Sequence, residues 1–253
     1  MNSITSNILT SFQSKYRRFL QLRPLASAAV RSLEAAWDVR MVYELNCLEG
    51  ASLSMRETEL AFQGESTSPG KSLQEYANAR DLWKAWTTTK KLADSAPSLT
   101  EAIAKEIRRS FPEPLVRSGW DNMLIQGAAA IHGANHGSNN SLEEPELMGA
   151  IFDGVSAINC PIERAARLHL RIRAQQIFGP RNQSMALLAM NFVLLAAGYP
   201  PISISPEDRA DYYAALKSAD SGNFPAWLAF LSTRVEQELD SWLAALDPSL
   251  SEN

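Results

Sequence analysis

The residues able to do chemistry concentrate in one short stretch of this 253-residue chain, Gln176 to Ser184, which reads QIFGPRNQS. Amides, a guanidinium and a hydroxyl crowd a turn between two segments with helical apolar spacing. Free N–H groups at the start of the second helix, with the positive end of its dipole behind them, suit an anion, and Arg181 adds charge. An ordinary helix-loop-helix turn capped by Asn182 accounts for the same residues equally well. His132 and His136 are four apart, which on a helix would set two imidazoles on one face as metal ligands. Gly133, Ala134, Asn135 and Gly137 make that stretch too pliant to fix a pair, and no third His or Cys completes a site. A polar flap without metal is the expectation there. His169, between Leu168 and Leu170, is expected to be a hydrogen-bonded core histidine. No G-x-S-x-G, H-E-x-x-H or phosphate-loop pattern is present.

The elements that must position this turn read as helices. Ser54 with Glu57, Ser72 with Glu75, Ser98 with Glu101 and Ser141 with Glu144 all have the S-x-x-E spacing of a capping box. Leu33, Trp37, Met41, Leu45 and Leu48 repeat at close to 3.6 residues and stop at Gly50. Leu99, Ile103, Ile107 and Phe111 repeat in the same way, as do Leu147, Ile151, Val155 and Ile158. Pro161 opens a helix to about Gln175, and the almost wholly apolar stretch from Ser184 to Ala197 is expected to be the buried central helix. Ser205 and Pro206 are placed to start another as N-cap and first residue. A last helix begins at Asn223, with Trp227, Leu231, Val235, Leu239, Trp242 and Leu246 inward. Residues 63–71 form a loop, and residues 117–140, whose apolar runs are broken by Gly and Asn, suggest a small hairpin. The expected fold is one all-α domain with a small β insertion.

Composition narrows the function classes. The net charge of −4 lacks the basic excess of nucleic-acid proteins, so no nucleic-acid partner is expected. No apolar run reaches a membrane span, so no membrane partner is expected either. Cys47 and Cys160 form no CxxC pair and read as small apolar core residues. Residues 1–33 hold five bases and no acid. They suit either a transit segment or an extension or first helix whose basic face is solvated or meets the acidic body, and the second is preferred. The expected organisation is a basic extension over 1–27, a helical domain over 28–247 and a polar tail over 248–253.

Four segments, in order, resemble the Fic (Fido) family, whose members transfer AMP or another phosphate-containing group to protein hydroxyls. Tyr43 to Glu59, YELNCLEGASLSMRETE, is similar to the family's inhibitory-helix segment. Leu73 to Trp83 is similar to the stretch that usually carries N-Y-x-x-A. Pro161 to Arg173, PIERAARLHLRIR, resembles the helix before the active loop, and Leu188 to Ile202, LAMNFVLLAAGYPPI, the helix after it. The resemblance spans residues 28 to 204 and implies a Fic-type helical bundle with a small β-hairpin flap, to which His132 and His136 would belong.

Aligned through Met190 and Asn191, the family pattern H-P-F-x-D/E-G-N-G-R-x-x-R falls on Gln176 to Leu187, where only Phe178 and Asn182 keep the family residue. The family's histidine is its general base. Gln176 has an amide that does not titrate near neutral pH. The acidic magnesium ligand is replaced by Pro180, and the two phosphate arginines by Ser184 and Leu187. Conventional adenylyl transfer is therefore not expected, and no cofactor is expected. Phe178, Arg181, Asn182, Gln183 and Ser184 remain as ligand-binding candidates. Glu49 corresponds to the family's inhibitory glutamate, whose arginine partner here is Leu187. It must find another cation, Arg181 or Arg173, or act as an acid or base; Glu49 and Gln176 are the catalytic candidates.

Three functions follow from this resemblance. The first is a pseudoenzyme that binds a protein partner or a phosphate-bearing small molecule. The second is an enzyme with different chemistry on a small molecule in the same pocket. The third is an antitoxin-like regulator that inserts its Glu49 helix into another Fic protein. A cytoplasmic location is expected, and a homo-oligomer is compatible with the sequence.

Overall fold

The computed structural model describes residues 13–22, 28–64, 70–111, 148–149 and 151–246. In chain order the helices are α1 (Gln13–Gln21), α2 (Ala28–Leu48), α3 (Met55–Phe62), α4 (Leu73–Ser95), α5 (Glu101–Ser110), α6 (Pro161–Gln175), α7 (Asn182–Ala196), α8 (Arg209–Asp220) and α9 (Phe224–Leu246), with a 3-10 turn over Gly179–Arg181 before α7. The described residues hold no strand. The expected hairpin over 117–140, with His132 and His136, lies outside the described residues, as do Ser141 and Glu144.

The central helix is α7. From Ser184 to Leu194 every residue is buried. A helix apolar on all sides needs cover on all sides. Its closest neighbours are α6 on one side and α4 on another, with α9 packed against α6 and α2 against α4. Asn191 ties the far end of α7 to the following segment: its Oδ1 accepts the Ile202 N–H at 2.8 Å and its Nδ2 donates to the Ile202 carbonyl at 2.8 Å. The basic extension contributes α1, which lies on α9. Lys15 Nζ pairs with Glu236 and Asp240 at 2.9 and 2.8 Å, so the basic segment does meet the acidic body at this residue.

Two capping boxes form as their spacing predicts. Ser54 and Glu57 close the start of α3, and Ser72 and Glu75 that of α4, each with both reciprocal hydrogen bonds. Other local expectations need correction. Thr100, not Ser98, caps α5, by accepting the Ile103 N–H. The Leu147 to Ile158 repeat is not one helix, because residues 153–157 are turns even though Val155 is buried. Ser205 accepts the Asp208 N–H within a turn, and α8 starts only at Arg209. Cys47 and Cys160 are free and only partly buried, so neither is a full core residue.

Candidate functional site

The loop between α6 and α7 is held by its own side chains. α6 stops because Gln176 takes a left-handed conformation, φ 55°, the one described non-glycine residue with positive φ. The Gln176 side chain is exposed and donates to the Arg173 carbonyl at 2.8 Å, which caps the helix end that it leaves. Asn182 does not cap α7 as expected. It is buried, its Nδ2 donates to the Ile172 carbonyl at 3.0 Å and its Oδ1 accepts the Phe178 N–H at 3.3 Å. One amide thus staples the end of α6 to the loop and to the start of α7, and Phe178 is held with its ring buried.

Arg181 sits at the last turn before α7, inside the protein, with 1% of its surface exposed. A guanidinium that deep requires compensation. Its Nη1 donates to Glu49 Oε2 at 2.9 Å and its Nη2 to Asn78 Oδ1 at 3.1 Å. The Phe111 ring lies 5.8 Å from its Cζ. Its Nε has no partner. Glu49 is also bound by Ser184, whose buried hydroxyl donates to Oε1. The other proposed cation for Glu49, Arg173, pairs instead with Asp220 at 2.8 and 2.9 Å.

Glu49 reaches the loop because α2 ends at Leu48 and Gly50 turns the chain with φ 85°. The link that follows is pinned: Ser52 donates its N–H and its hydroxyl to Glu75 Oε1, at 2.8 and 2.7 Å, and Lys71 donates to the Ser52 carbonyl. Burial alone would raise the Glu75 carboxyl, but hydrogen bonds from Ser52 and Ser72 outweigh it and hold the group below the ordinary carboxylate range. Glu75 therefore remains an acceptor for both ends of the link.

The structure thus gathers Glu49, Arg181 and Ser184 into one contact. Gln183 points elsewhere, to the Tyr213 hydroxyl at 3.3 Å, and Gln176 faces solvent. Asn78 and Tyr213 were not legible as site residues, since nothing in their spacing marks which residue of α4 or α8 faces the loop. His169 is buried as expected, but only half satisfied: its Nε2 meets the Tyr212 hydroxyl at 3.0 Å while Nδ1 has no partner. Burial, then Arg173, push its pKa down to about 3, so the ring is neutral.

The magnesium ion implied by the resemblance does not fit these residues. Pro180 offers no oxygen at the acidic position, and the Glu49 carboxylate is engaged by Arg181 and Ser184. Among the described residues no group of three or more His, Cys, Asp and Glu side chains could hold a metal ion. No described helix is long and apolar enough to cross a membrane.

No family model matches the chain. Curated proteins do match it, among them these two. One, named "Protein adenylyltransferase Fic", from Nematostella vectensis, is 27% identical over 212 residues, 81% of this chain and 48% of that protein. Another, "Protein adenylyltransferase fic-1" from Caenorhabditis elegans, is 23% identical over 249 residues, 88% of this chain and 44% of that protein. The chain thus spans about half the length of these relatives. Among solved structures, C. elegans Fic-1 superposes with a TM-score of 0.75 at 20% identity, over 96% of this chain and 72% of that one. A Fic domain-containing signaling protein from Bacteroides thetaiotaomicron gives 0.69 at 21%, over 97% of both chains. The all-α bundle around α6, the stapled loop and α7 is therefore the Fic fold, in a chain related to protein adenylyltransferases.

Proposed function

We propose that this Fic-fold chain does not perform conventional adenylyl transfer, and that its loop site binds a phosphate-bearing small molecule or a protein partner. One observation carries the proposal: the anion seat at the start of α7 holds the chain's own carboxylate, Glu49, between Arg181 and Ser184. A cation and a hydroxyl at a helix start suit phosphate as well as carboxylate. Glu49 then acts as an internal occupant that a ligand displaces. The turn offers no titrating base at Gln176 and no metal ligand at Pro180, which supports binding over transfer; loss of a general base alone lowers rates about 100- to 10,000-fold.

The test is incubation of the full chain with lysate and labelled ATP, GTP, UDP-sugar or CDP-choline. No label dependent on the Gln176 loop is expected, and labelled protein that disappears on loop substitution would overturn the proposal. A second reading, altered chemistry on a small molecule, is favoured by the Ser184 hydroxyl donating to Glu49, whose side chain stays 18% accessible. A carboxylate beside a hydroxyl is the pairing of a base with a nucleophile. Unchanged cellular activity in Glu49→Ala and Arg181→Ala chains would remove it. The antitoxin-like reading has less support, because Glu49 is already held by the chain's own Arg181.

A further inference from the structure

Near the end of α7 away from the loop, a cleft of about 200 Å³, open to solvent, lies between α1, α2, α4, α9 and the Pro200–Pro201 segment. Its wall contains Trp37, Trp86 and Trp242, three of the six tryptophans in the chain. Three carboxylates also line it, those of Glu34, Asp38 and Asp94, against one ammonium, Lys90. Indole faces attract cations through their negative quadrupole, and an excess of carboxylate beside them adds Coulomb attraction.

The protein already shows which group this environment holds. Lys90 Nζ lies 2.7 and 2.6 Å from the two oxygens of Asp38 and 5.7 Å from the centre of the Trp86 ring. The Trp86 indole N–H donates to the same Asp38 at 2.6 Å, which orients the carboxylate. One ammonium is thus seated between carboxylate and indole by the fold itself. Glu34 and Asp94 have no such partner among the described residues and stand exposed at the cleft.

We propose that this cleft binds a second ammonium group, the end of an alkylamine, with its chain against the accessible edges of Trp37 and Trp242 and against Pro200, and its charge at Glu34 and Asp94. The volume admits a few heavy atoms, which favours a slender primary amine over a bulky or polycyclic ligand. The amine could be free or the side chain of a peptide lysine, since both present the same group. This site is separate from the Glu49–Arg181 contact, and does not depend on the function proposed for it.

The full chain is titrated with propylammonium and, in parallel, with 1-propanol, which has the same number of heavy atoms without the charge, while tryptophan fluorescence is read. A saturable change with the ammonium ion, absent with the alcohol and weakened about fivefold or more in the Glu34→Gln/Asp94→Asn chain, is expected. Equal responses to ion and alcohol, an unaltered response in the double variant, or no saturable response at millimolar concentration would overturn the site. An arm with N-acetyl-lysine methylamide separates the sources: tighter binding than propylammonium assigns a peptide lysine, weaker binding a free amine. Lys90→Ala provides an independent check. It frees Asp38, so propylammonium should raise the melting temperature of that variant more than that of the parent chain, and an equal rise would count against the cleft as an ammonium site.

Discussion

At the scale of single residues, the Arg181–Glu49 pair matters most, because it sets an internal anion where a ligand would sit. Removing one member of a fully buried pair costs roughly 3 to 5 kcal/mol. Glu49 keeps some solvent contact, with 18% of its side chain accessible, so Glu49→Ala should cost less, about 1 to 3 kcal/mol. Phosphate or pyrophosphate should restore more of the lost melting temperature in that variant than it adds to the parent chain. No difference between the two in a thermal-shift titration would show that Arg181 is not an anion seat. His169 supplies a pH prediction with a definite sign. Its folded pKa is about 3 and its unfolded value near 6.5, so below pH 6.5 the unfolded chain binds the extra proton. The stability contributed by the neutral ring is complete above pH 6.5 and falls as pH drops towards 3. By pH 4.5 the loss reaches roughly 3 kcal/mol. His169→Asn, which keeps a polar atom near Tyr212, should flatten the dependence of unfolding free energy on pH over that window; an unchanged slope would show that other groups carry it.

At the scale of elements, the two capping boxes act differently in spite of the same sequence pattern. Glu57 accepts from Ser54 at the start of α3, whereas Glu75 caps α4 and also accepts two hydrogen bonds from Ser52 across the link. Loss of a cap costs about 0.5 to 2 kcal/mol. Glu75→Ala should therefore cost about 1 kcal/mol beyond the loss of its cap and loosen the link that carries Glu49, which Glu57→Ala should leave in place. Amide exchange at residues 50–54, compared between the two variants, checks this: similar protection in both would contradict a clamp at Ser52. The capping boxes were legible because a cap is a contact within four residues. The clamp was not, because Ser52 and Glu75 are 23 residues apart and the pattern around Glu75 is already explained by the cap.

At the scale of the whole molecule, α1 closes the bundle over the far end of α7. Tyr16 stacks on Tyr199 with ring centres 4.0 Å apart, its hydroxyl donates to the Ala197 carbonyl at 2.6 Å, and Phe19 meets the edge of Trp242. Gly198 permits this approach: φ is 83°, and an added Cβ would come 2.9 Å from Leu20 Cδ2. Leu20 can shift, so the left-handed backbone is the larger cost, about 1 to 2 kcal/mol for Gly198→Ala. The variant should melt lower, and α1 should become open to limited proteolysis while the rest of the chain resists. Protection equal to that of the parent would show that α1 does not depend on the Gly198 turn. Since Phe19 also lines the tryptophan cleft, the docking of α1 shapes that space as well.

The amino-acid sequence by itself determined the helical class, the extent of α6 from Pro161 to Gln175, the burial of α7 and the boxes that start α3 and α4. These are local matters of apolar period, capping side chains and a proline that sets its own φ. The resemblance to the Fic family also left Glu49 as a carboxylate without an expected arginine partner. Which cation would replace that partner was a question of contact across 132 residues of chain, and Arg181 and Arg173 were equally available to a one-dimensional pattern. The tertiary structure decided it through the left-handed turn at Gln176 and the Asn182 staple, which turn Arg181 inward, while Arg173, still on α6, reaches Asp220 of α8. Burial then made the choice binding, because a guanidinium with 1% exposure has to take the carboxylate within its reach, and at that position it is Glu49.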